Sequence, residues 1–236
     1  MNTIPIFERN GDHAITIRFG NTINDQMADQ VFSLFQLLKK NHISGVIDLI
    51  PAYSTLTVVY DIIEVRKHSD SNTASQYIQD RLQHFLNTLS NTIVSTCREI
   101  EIPVCYHSSL GIDMEEIADQ KNISTEEIIR LHSNNTYRVY LIGFLPGFPY
   151  MGSLDEKLLM PRKKTPKIKV LSGSIGIAGL QTGIYPFDSP GGWNIIGQTP
   201  LKLFDPSNSN PCLLQPGDHV RFIQISLEEF NQLKSL

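Results

Sequence analysis

Hydrophobic residues in the first part of the chain follow two different spacings. They alternate with polar residues over 14–19, which predicts a β-strand, and they recur every three or four residues over about 25–40, which predicts an amphipathic helix. A second helix is predicted over about 73–89, and two strands are predicted between the helices, at 46–50 and 56–60. The β-α-β-β-α order predicts a small α+β domain with its helices on one side of a sheet.

A polar stretch over 87–96 interrupts this pattern and predicts a joint between two domains. We place the boundary near residue 95, which gives a first domain over 1–95 and a second over 96–236. Alternation resumes at 100–104, where the first strand of the second domain is predicted.

Two short helices are predicted next, over about 114–121 and 125–132, and a third closes the chain. Each follows a capping-box pattern, in which a short polar side chain accepts a free N–H and a glutamate three residues later reaches back. The pairs are Asp113 with Glu116, Ser124 with Glu127, and Ser226 with Glu229.

Short β-rich segments separated by Gly and Pro turns fill most of the chain after residue 138. Such a series predicts a β-barrel or a closed sandwich. The segments lie at 139–142, 168–171, 175–178, 194–196, 201–204 and 220–225.

Composition and charge narrow the classes of function. The chain has 236 residues, 41% hydrophobic and 19% charged, which is ordinary for a globular protein, and a net charge of −4 gives no drive toward nucleic acid or anionic lipid. No apolar run reaches the roughly 18 residues that cross a bilayer, so we expect a cytoplasmic protein without a membrane partner. The three cysteines lack metal-ligand spacing, so neither a metal site nor a disulfide scaffold is expected.

Glycine is concentrated in one stretch of the second domain. Ten of the 15 glycines and six prolines lie between Gly143 and Gly197. Glycine permits positive φ and close backbone approach, whereas proline fixes φ, so this stretch has a set backbone rather than a loose one.

Several multi-residue blocks occur in this stretch in a fixed order, and others lie outside it. Together they resemble the signature blocks of the carboxyltransferase subdomain C and D family, and the resemblance covers nearly the whole chain. That family includes the B subunit of bacterial 5-oxoprolinase and the sporulation kinase A inhibitor (KipI), and it was formerly labelled allophanate hydrolase subunit 1. The blocks are 144–152 (FLPGFPYMG), 161–162 (PR), 173–179 (GSIGIAG), 181–186 (QTGIYP) and 189–193 (SPGGW), with 11–17 (GDHAITI), 49–53 (LIPAY), 102–106 (IPVCY) and 216–218 (PGD) outside the stretch.

The expected fold class is therefore α+β. A small ferredoxin-like domain is expected to come first, and the resemblance implies that the second domain is a cyclophilin-like β-barrel. Periodicity alone does not name that barrel.

The resemblance implies a non-autonomous enzyme subunit. The enzyme would be an ATP-dependent 5-oxoprolinase, which converts 5-oxo-L-proline, ATP and water to L-glutamate, ADP and phosphate. In this family the B subunit works with a C subunit and an A subunit, so ATP is expected in a site shared with, or carried by, a partner. Two alternatives remain open: a KipI-like inhibitor of sensor histidine kinase autophosphorylation, and a subunit related to urea carboxylase or allophanate hydrolase.

Arg162 is the first candidate for substrate contact. It opens a run of five cations in eight residues, RKKTPKIK. Its fork of donors suits a substrate carboxylate, and the lysines, Lys163 first, suit a phosphate. The alternative for this run is a solvated loop.

The FLPGFPY block is the second candidate. Phe144, Gly147, Phe148 and Tyr150 suit a rigid aromatic wall whose N–H groups are available to an anion or oxyanion. The alternative is a tight turn between strands.

Further candidates follow in the next blocks. Gln181, Thr182 and Tyr185 offer neutral donors and acceptors for an amide ring, with turn or core roles as the alternative. The SPGGW block offers close backbone approach and an indole face, unless the indole belongs to the barrel core. Its candidate residues are Ser189, Gly191, Gly192 and Trp193.

His132 ends a predicted helix and completes the predicted catalytic group with Arg162 and Gln181. A histidine there can exchange protons near pH 7, but a helix C-terminus also favours histidinium without catalysis. The chain lacks a G-x-S-x-G nucleophile elbow, a Walker A loop and an H-E-x-x-H motif. A complete hydrolase or kinase site is therefore not expected from this chain alone, which favours a site shared with a second subunit.

Overall fold

The computed structural model describes residues 5–68, 73–89 and 97–235. The chain divides into two compact units, Met1–Thr96 and Cys97–Leu236. The domain boundary that we predicted near residue 95 lies outside the described residues.

Within its described residues, the first unit contains a four-stranded antiparallel sheet in the order β1-β2-β4-β3 and three helices. Its elements are β1 (Ile6–Arg9), β2 (Ala14–Arg18), α1 (Asp25–Lys40), β3 (Val46–Pro51), β4 (Thr55–Tyr60), α2 (Ile62–Lys67) and α3 (Ala74–Thr88).

The core of the first unit follows from the two predicted spacings. Leu34 and Leu38 of α1 pack in one cluster with Ile15 and Ile17 of β2 and with Leu56 of β4, and all five are buried. Helix α1 begins where the Asn24 side chain accepts the Met27 N–H, so the predicted helix over 25–40 is confirmed. Strand β1 and helix α2 are additional elements that the periodicity did not predict.

The second unit contains a seven-stranded sheet, a two-stranded ribbon and three α-helices among the described residues. The order in the large sheet is β12-β9-β10-β7-β6-β13-β5, and β11 pairs with β8 in the ribbon. The elements are β5 (Glu99–Val104), α4 (Met114–Lys121), α5 (Thr125–Ser133), β6 (Thr136–Ile142), β7 (Pro149–Gly152), a 3₁₀ turn (Glu156–Leu158), β8 (Lys167–Val170), β9 (Ser174–Ala178), β10 (Gln181–Ile184), β11 (Ser189–Gly191), β12 (Asn194–Gln198), β13 (His219–Gln224) and α6 (Leu227–Lys234).

The large sheet curls until its two outer strands meet. Cys105, just after β5, exchanges two backbone hydrogen bonds with Gln198 of β12, at 2.9 and 3.0 Å. Strand β13 runs parallel to β5 and antiparallel to β6. The predicted class, α+β, is confirmed.

Two local predictions in this unit are wrong. The segment at 201–204 is not a strand; Leu203 is buried without strand pairing, and Phe204 forms only an isolated bridge with Cys212. Asp113 makes no capping hydrogen bond to α4, because its carboxylate has other partners. The capping box of Ser226 and Glu229 is confirmed in both directions.

The β9–β10 part of the sheet is buried on both sides. Ile175, Ile177 and Ile184 face the main core of the unit. Because successive residues point to opposite sides, Gly176 and Gly183 face a second, smaller cluster of Phe148, Val170, Ala178, Tyr185, Trp193 and Ile195.

Candidate functional site

Three aromatic side chains of the predicted site pack together in the smaller cluster. The Phe148 ring lies 5.2 Å from that of Tyr185 and 5.5 Å from that of Trp193, edge to face in both cases. Phe148 and Tyr185 are 1% exposed and Trp193 is 4% exposed. We call these three residues the aromatic floor, since they form a packed layer rather than the wall of a hollow.

Two glycines let the floor rings lie directly on the strands. Gly183 of β10 and Gly176 of β9 are cross-strand partners. A Cβ on Gly183 would lie 2.8 Å from Phe148 Cζ, and one on Gly176 would lie 3.0 Å from Trp193 Cβ. The glycine-rich composition of these blocks therefore serves close ring packing.

The loop after β6 is closed by its own backbone hydrogen bonds. The Gly143 N–H donates to the Phe148 carbonyl at 3.1 Å, the Leu145 N–H to that of Gly143 at 2.8 Å, and the Phe148 N–H to that of Leu145 at 3.0 Å. The Gly147 N–H donates to the Cys212 thiol. We expected these N–H groups to be available to an anion; that expectation is wrong for these four, because each already has an acceptor.

Phe144 is the exposed tip of this loop. Its φ of 67° and the hydrogen bond from Leu145 to Gly143 place it at the centre of a γ-turn, a strained geometry for a bulky residue. The ring packs edge to face on Phe148 at 5.6 Å yet remains 63% exposed. An aromatic ring is thus fixed in position while most of its surface contacts solvent.

Arg162 and Tyr150 lie above the floor, and we call them the rim pair. The Arg162 guanidinium carbon is 5.9 Å from the Trp193 ring centroid, within the range of a cation–π contact, and the Tyr150 ring lies 5.8 Å from the same ring. Burial raises the pKa of Tyr150, and the positive charge of Arg162 opposes that rise. Arg162 is exposed and, among the described residues, has no carboxylate partner, so its charge remains available to an anion.

Lys163 does not share this availability. Its ammonium binds Glu116 and lies 3.2 Å from Asp113, and its side chain is only 17% exposed. Lys167 also binds both carboxylate oxygens of Asp113 at 2.9 Å. Asp113, which also binds the backbone of β12, therefore fixes the basic segment against the curled sheet. Because the Lys163 ammonium is already paired, the geometry does not support the predicted contact between Lys163 and substrate.

Asp113 and the basic segment that it holds are also hydrogen-bonded to the backbone beside the aromatic floor. Its second carboxylate oxygen accepts the Ile195 N–H at 2.6 Å, and the Lys163 N–H donates to the Gly192 carbonyl at 2.7 Å. Ile195 belongs to the same cluster as Trp193. The height of Arg162 above the floor is thus set by a buried carboxylate 49 positions earlier in the chain.

Gln181 and Ser189 lie at the borders of this arrangement. Gln181 is paired with Gly152 and Ala178 and is two positions from Gly183, so its side chain emerges on the floor side of the sheet. The Ser189 hydroxyl is buried without a hydrogen-bond partner in the described part of the chain. Gln181 remains a candidate for contact with a ligand at the rim pair.

Three other predicted binding residues are buried. Gly147 lies under Phe204, Gly191 lies against the Tyr185 ring, and Thr182 points into the main core. The geometry does not support direct contact between these residues and a ligand, because none of them presents a side chain at the surface. The same holds for the residues of the aromatic floor. Their observed role is to shape the layer beneath the rim pair.

His132 lies in the interior of the second unit and is 0% exposed. Its Nδ1 is 2.7 Å from the Tyr106 hydroxyl and its Nε2 is 3.0 Å from the Thr182 hydroxyl, while its ring stacks on Phe222 at 4.5 Å. Thr182 can donate in turn to the Gly176 carbonyl at 3.3 Å, which leaves it to accept from a proton on Nε2. This geometry does not support the predicted catalytic role, because no surface ligand reaches the ring; it favours the structural alternative.

The burial of His132 predicts a pH dependence of stability. Burial lowers its pKa from 6.5 to about 3, so the unfolded chain binds a proton between these values and the folded chain does not. The free energy of unfolding should therefore be highest above pH 6.5 and fall by up to about 1.4 kcal/mol per pH unit as the pH drops. Urea unfolding of the native chain and of His132→Phe between pH 7 and 4.5 checks this, since most carboxylates titrate lower. Equal slopes for the two chains would contradict it.

Sequence reasoning missed Asp113 and assigned it to a helix cap. The pattern D-M-E-E suits a capping box, and nothing local shows that the carboxylate turns to Lys163 and Lys167. The sequence does contain a cluster of acids, Asp113, Glu115 and Glu116, and a later run of lysines, but it does not show which of these side chains pair.

Comparison with known protein families shows to which family this chain belongs. A model of the family described as carboxyltransferase domain, subdomain C and D, matches residues 5–214. The chain belongs to this family. The resemblance in the sequence blocks is therefore confirmed over most of the length.

Two bacterial proteins match this chain along almost their whole length. The 5-oxoprolinase B subunit of Bacillus subtilis (strain 168) is 41% identical over 229 residues, which cover 96% of this chain and 95% of that protein. The 5-oxoprolinase B subunit of Escherichia coli O157:H7 is 37% identical over 213 residues, with 90% and 93% covered.

A solved structure has a similar fold and belongs to a longer chain. The protein TTHA0988 matches with a TM-score of 0.77 and 34% identity, covering 90% of this chain but only 40% of that chain. TTHA0988 therefore carries a large additional part. In the described ranges of the present chain, no helix has both the length and the apolar character that a membrane crossing requires.

Proposed function

We propose that this chain is the B subunit of an ATP-dependent 5-oxoprolinase and is active only with partner subunits. The observation that carries the proposal is the 41% identity to a 5-oxoprolinase B subunit over 96% of this chain and 95% of that protein. The second relative of the same name, from a different bacterium, supports it. This identity favours the enzyme subunit over the kinase inhibitor.

The rim pair is the proposed contact surface for 5-oxoproline. That substrate carries one carboxylate and a planar lactam, so it requires a cation and a flat surface. The Arg162 guanidinium can donate two parallel hydrogen bonds to the substrate carboxylate. The exposed side of Tyr150 provides a planar face for the lactam ring. Gln181, on the same side of the sheet, is placed to orient the lactam amide.

The described residues do not fit a complete ATP site. The loop N–H groups that we expected to hold an anion have acceptors within the chain, and Lys163 and Lys167 are bound to Asp113. Arg162 and Lys164 are exposed cations without a carboxylate partner in the described segments, but two separated cations do not form a phosphate cradle. We therefore propose that ATP binds mainly on a partner subunit.

The partner subunits proposed are the C and A subunits of the same enzyme. The aromatic floor is closely packed, and the rim pair above it faces solvent. A second protein surface is therefore needed to exclude water from an activated lactam. In TTHA0988 the matching region is joined to a larger additional part of the same chain, which supports a partner region next to this unit.

Each unit is proposed to be a variant of a known fold. In the first, β2, β3 and β4 have the relative positions of the first three strands of a ferredoxin-like sheet, and β1 takes the outer place beside β2. In the second, the curled seven-stranded sheet, closed by the hydrogen bonds between Cys105 and Gln198, supports a cyclophilin-like barrel.

The test is a reconstitution from purified subunits. The chain is mixed with the A and C subunits, and ADP and glutamate formation is measured with 5-oxoproline present or absent. We expect turnover that depends on all three proteins and stops when this chain is omitted, because the rim pair is then missing. Full turnover without this chain would refute the proposal. Inhibition of a purified sensor histidine kinase by this chain, with no effect on turnover, would point to the alternative.

A further inference from the structure

Arg162 lies in a segment that no helix or strand holds. Residues 161–163 follow the isolated bridge at Met160 and precede β8, outside any regular element. A binding side chain on such a segment costs conformational entropy when it engages a ligand, unless other contacts already fix its backbone. The contacts on either side of Arg162 therefore decide how well its guanidinium is placed for a carboxylate.

Asn194 supplies the contact on the N-terminal side of Arg162. It is the first residue of β12 and is 1% exposed. Its side-chain amide nitrogen donates to the Pro161 carbonyl at 2.9 Å and to the carbonyl of Ile177, its partner on β9, at 3.2 Å. Both hydrogens of one buried amide are thus used to tie the residue before Arg162 to the large sheet.

Lys163 supplies the contact on the C-terminal side of Arg162. Its N–H donates to the Gly192 carbonyl at 2.7 Å, and its ammonium lies 3.2 Å from the Asp113 carboxylate. The same carboxylate accepts the Ile195 N–H at 2.6 Å. Both neighbours of Arg162 are therefore fixed to the start of β12 and to the residues just before it.

The same stretch of chain carries the ring beneath Arg162. Trp193 lies between Gly192 and Asn194 in the sequence, and its ring centroid is 5.9 Å from the Arg162 guanidinium carbon. The backbone beside Arg162 and the ring that its guanidinium covers thus have one common support. A misplacement of about 1 Å in a substrate-positioning group is enough to reduce turnover strongly.

We propose that Asn194 and Asp113 are positioning residues for the substrate carboxylate. They hold the segment that carries Arg162, so that its guanidinium is in place before 5-oxoproline binds. Neither touches the substrate, because Asn194 is 1% exposed and Asp113 is 5% exposed, and each acts through a residue next to Arg162. This inference rests on the proposed function, in which Arg162 contacts 5-oxoproline.

The test measures steady-state kinetics of the reconstituted complex at varied 5-oxoproline, with ATP saturating. Asn194→Leu removes the amide donors and keeps a side chain of similar size. Asp113→Asn keeps an oxygen for the Ile195 N–H and removes the charge that binds Lys163. We expect Asn194→Leu to raise the KM about tenfold and Asp113→Asn to raise it about threefold, with kcat within about twofold of the native value in both.

A double-mutant cycle separates positioning from a general weakening of the fold. In the Arg162→Ala background, each substitution should lower kcat/KM by less than about twofold further, because no guanidinium is left to place. A substitution that only weakens the fold lowers kcat/KM in both backgrounds.

Asp188→Asn is the matched control. The Asp188 carboxylate also accepts a backbone N–H, from Ser172 at 2.8 Å, but it binds Lys169 of the basic run rather than Lys163. Its replacement should leave the KM for 5-oxoproline within about twofold of the native value. Circular dichroism checks that every variant is folded.

The outcomes separate this inference from the proposed function. If Arg162→Ala impairs turnover but folded Asn194→Leu and Asp113→Asn have the native KM, the positioning assignment is overturned while the contact of Arg162 with substrate stands. An equal loss in the Arg162→Ala background, or an equal rise in KM for Asp188→Asn, also overturns it. If Asn194→Leu does not fold, Asp113→Asn decides alone. If the complex has no turnover, or Arg162→Ala has a normal KM, the proposed function fails and the positioning assignment fails with it.

Discussion

Replacing Arg162 with alanine is expected to lower kcat/KM for 5-oxoproline in the reconstituted complex by about 30-fold, mainly through a higher KM. The exposed guanidinium above Trp193 is the proposed partner of the substrate carboxylate, and a hydrogen-bonded ion contact of this kind contributes roughly 2 kcal/mol. Stability should change little, because among the described residues Arg162 has no ion pair to lose. Steady-state kinetics at varied 5-oxoproline, with ATP saturating, checks the prediction.

Two further variants make the test specific to Arg162. Lys164→Ala removes an exposed cation two positions away and should leave kcat/KM within about twofold, because general attraction of an anion is weak at the surface. Arg162→Lys keeps the charge but loses the fork, so an intermediate value is expected. A normal rate for the folded alanine variant, or an equal loss for Lys164→Ala, would remove Arg162 from the substrate site.

Replacing Gly191 with alanine is expected to destabilise the second unit by about 2 kcal/mol and to reduce turnover as a result. A Cβ there would clash with the Tyr185 hydroxyl and lie 2.8 Å from Tyr185 Cε1. Tyr185 is 1% exposed and its hydroxyl accepts the backbone N–H of Trp193, so its ring cannot move without disturbing Trp193. Overpacking of this kind typically costs about 1–3 kcal/mol.

The next residue supplies a matched control. A Cβ on Gly192 would meet no atom closer than 3.8 Å, and neither glycine has a positive φ. Gly192→Ala should therefore change the free energy of unfolding by less than about 0.5 kcal/mol. Urea unfolding followed by Trp193 fluorescence compares the two variants, and similar losses for both would show that the floor does not depend on the approach of Tyr185 to Gly191.

The sequence predicted elements best where one side of a helix or strand is buried. Helix α1 has the expected bounds because its apolar spacing spans four turns and Asn24 closes its start. Strand β1 and helix α2 were missed, since four and six residues are too few to establish a period. At 201–204 the apolar alternation was present, but the segment finds no neighbouring strand with which to pair along its length.

The sequence predicted which residues belong to the candidate site but not which of their side chains are buried and which face solvent. The aromatic blocks do meet, because β7, β10 and β12 belong to one curled sheet. Which rings are buried depends on strand register and on the glycines beneath them, and neither is visible in a single sequence. The same limit applies to Lys163, whose role is decided by Asp113, 50 positions earlier.

The γ-turn at Phe144 has a consequence for assembly. Because the turn closes through hydrogen bonds between its own neighbours, the ring keeps its pose before any other polypeptide arrives. A molecule that contacts this ring would therefore meet one ordered pose, and the contact would cost little conformational entropy in this chain. The strained turn thus presents a single oriented aromatic surface to the solvent.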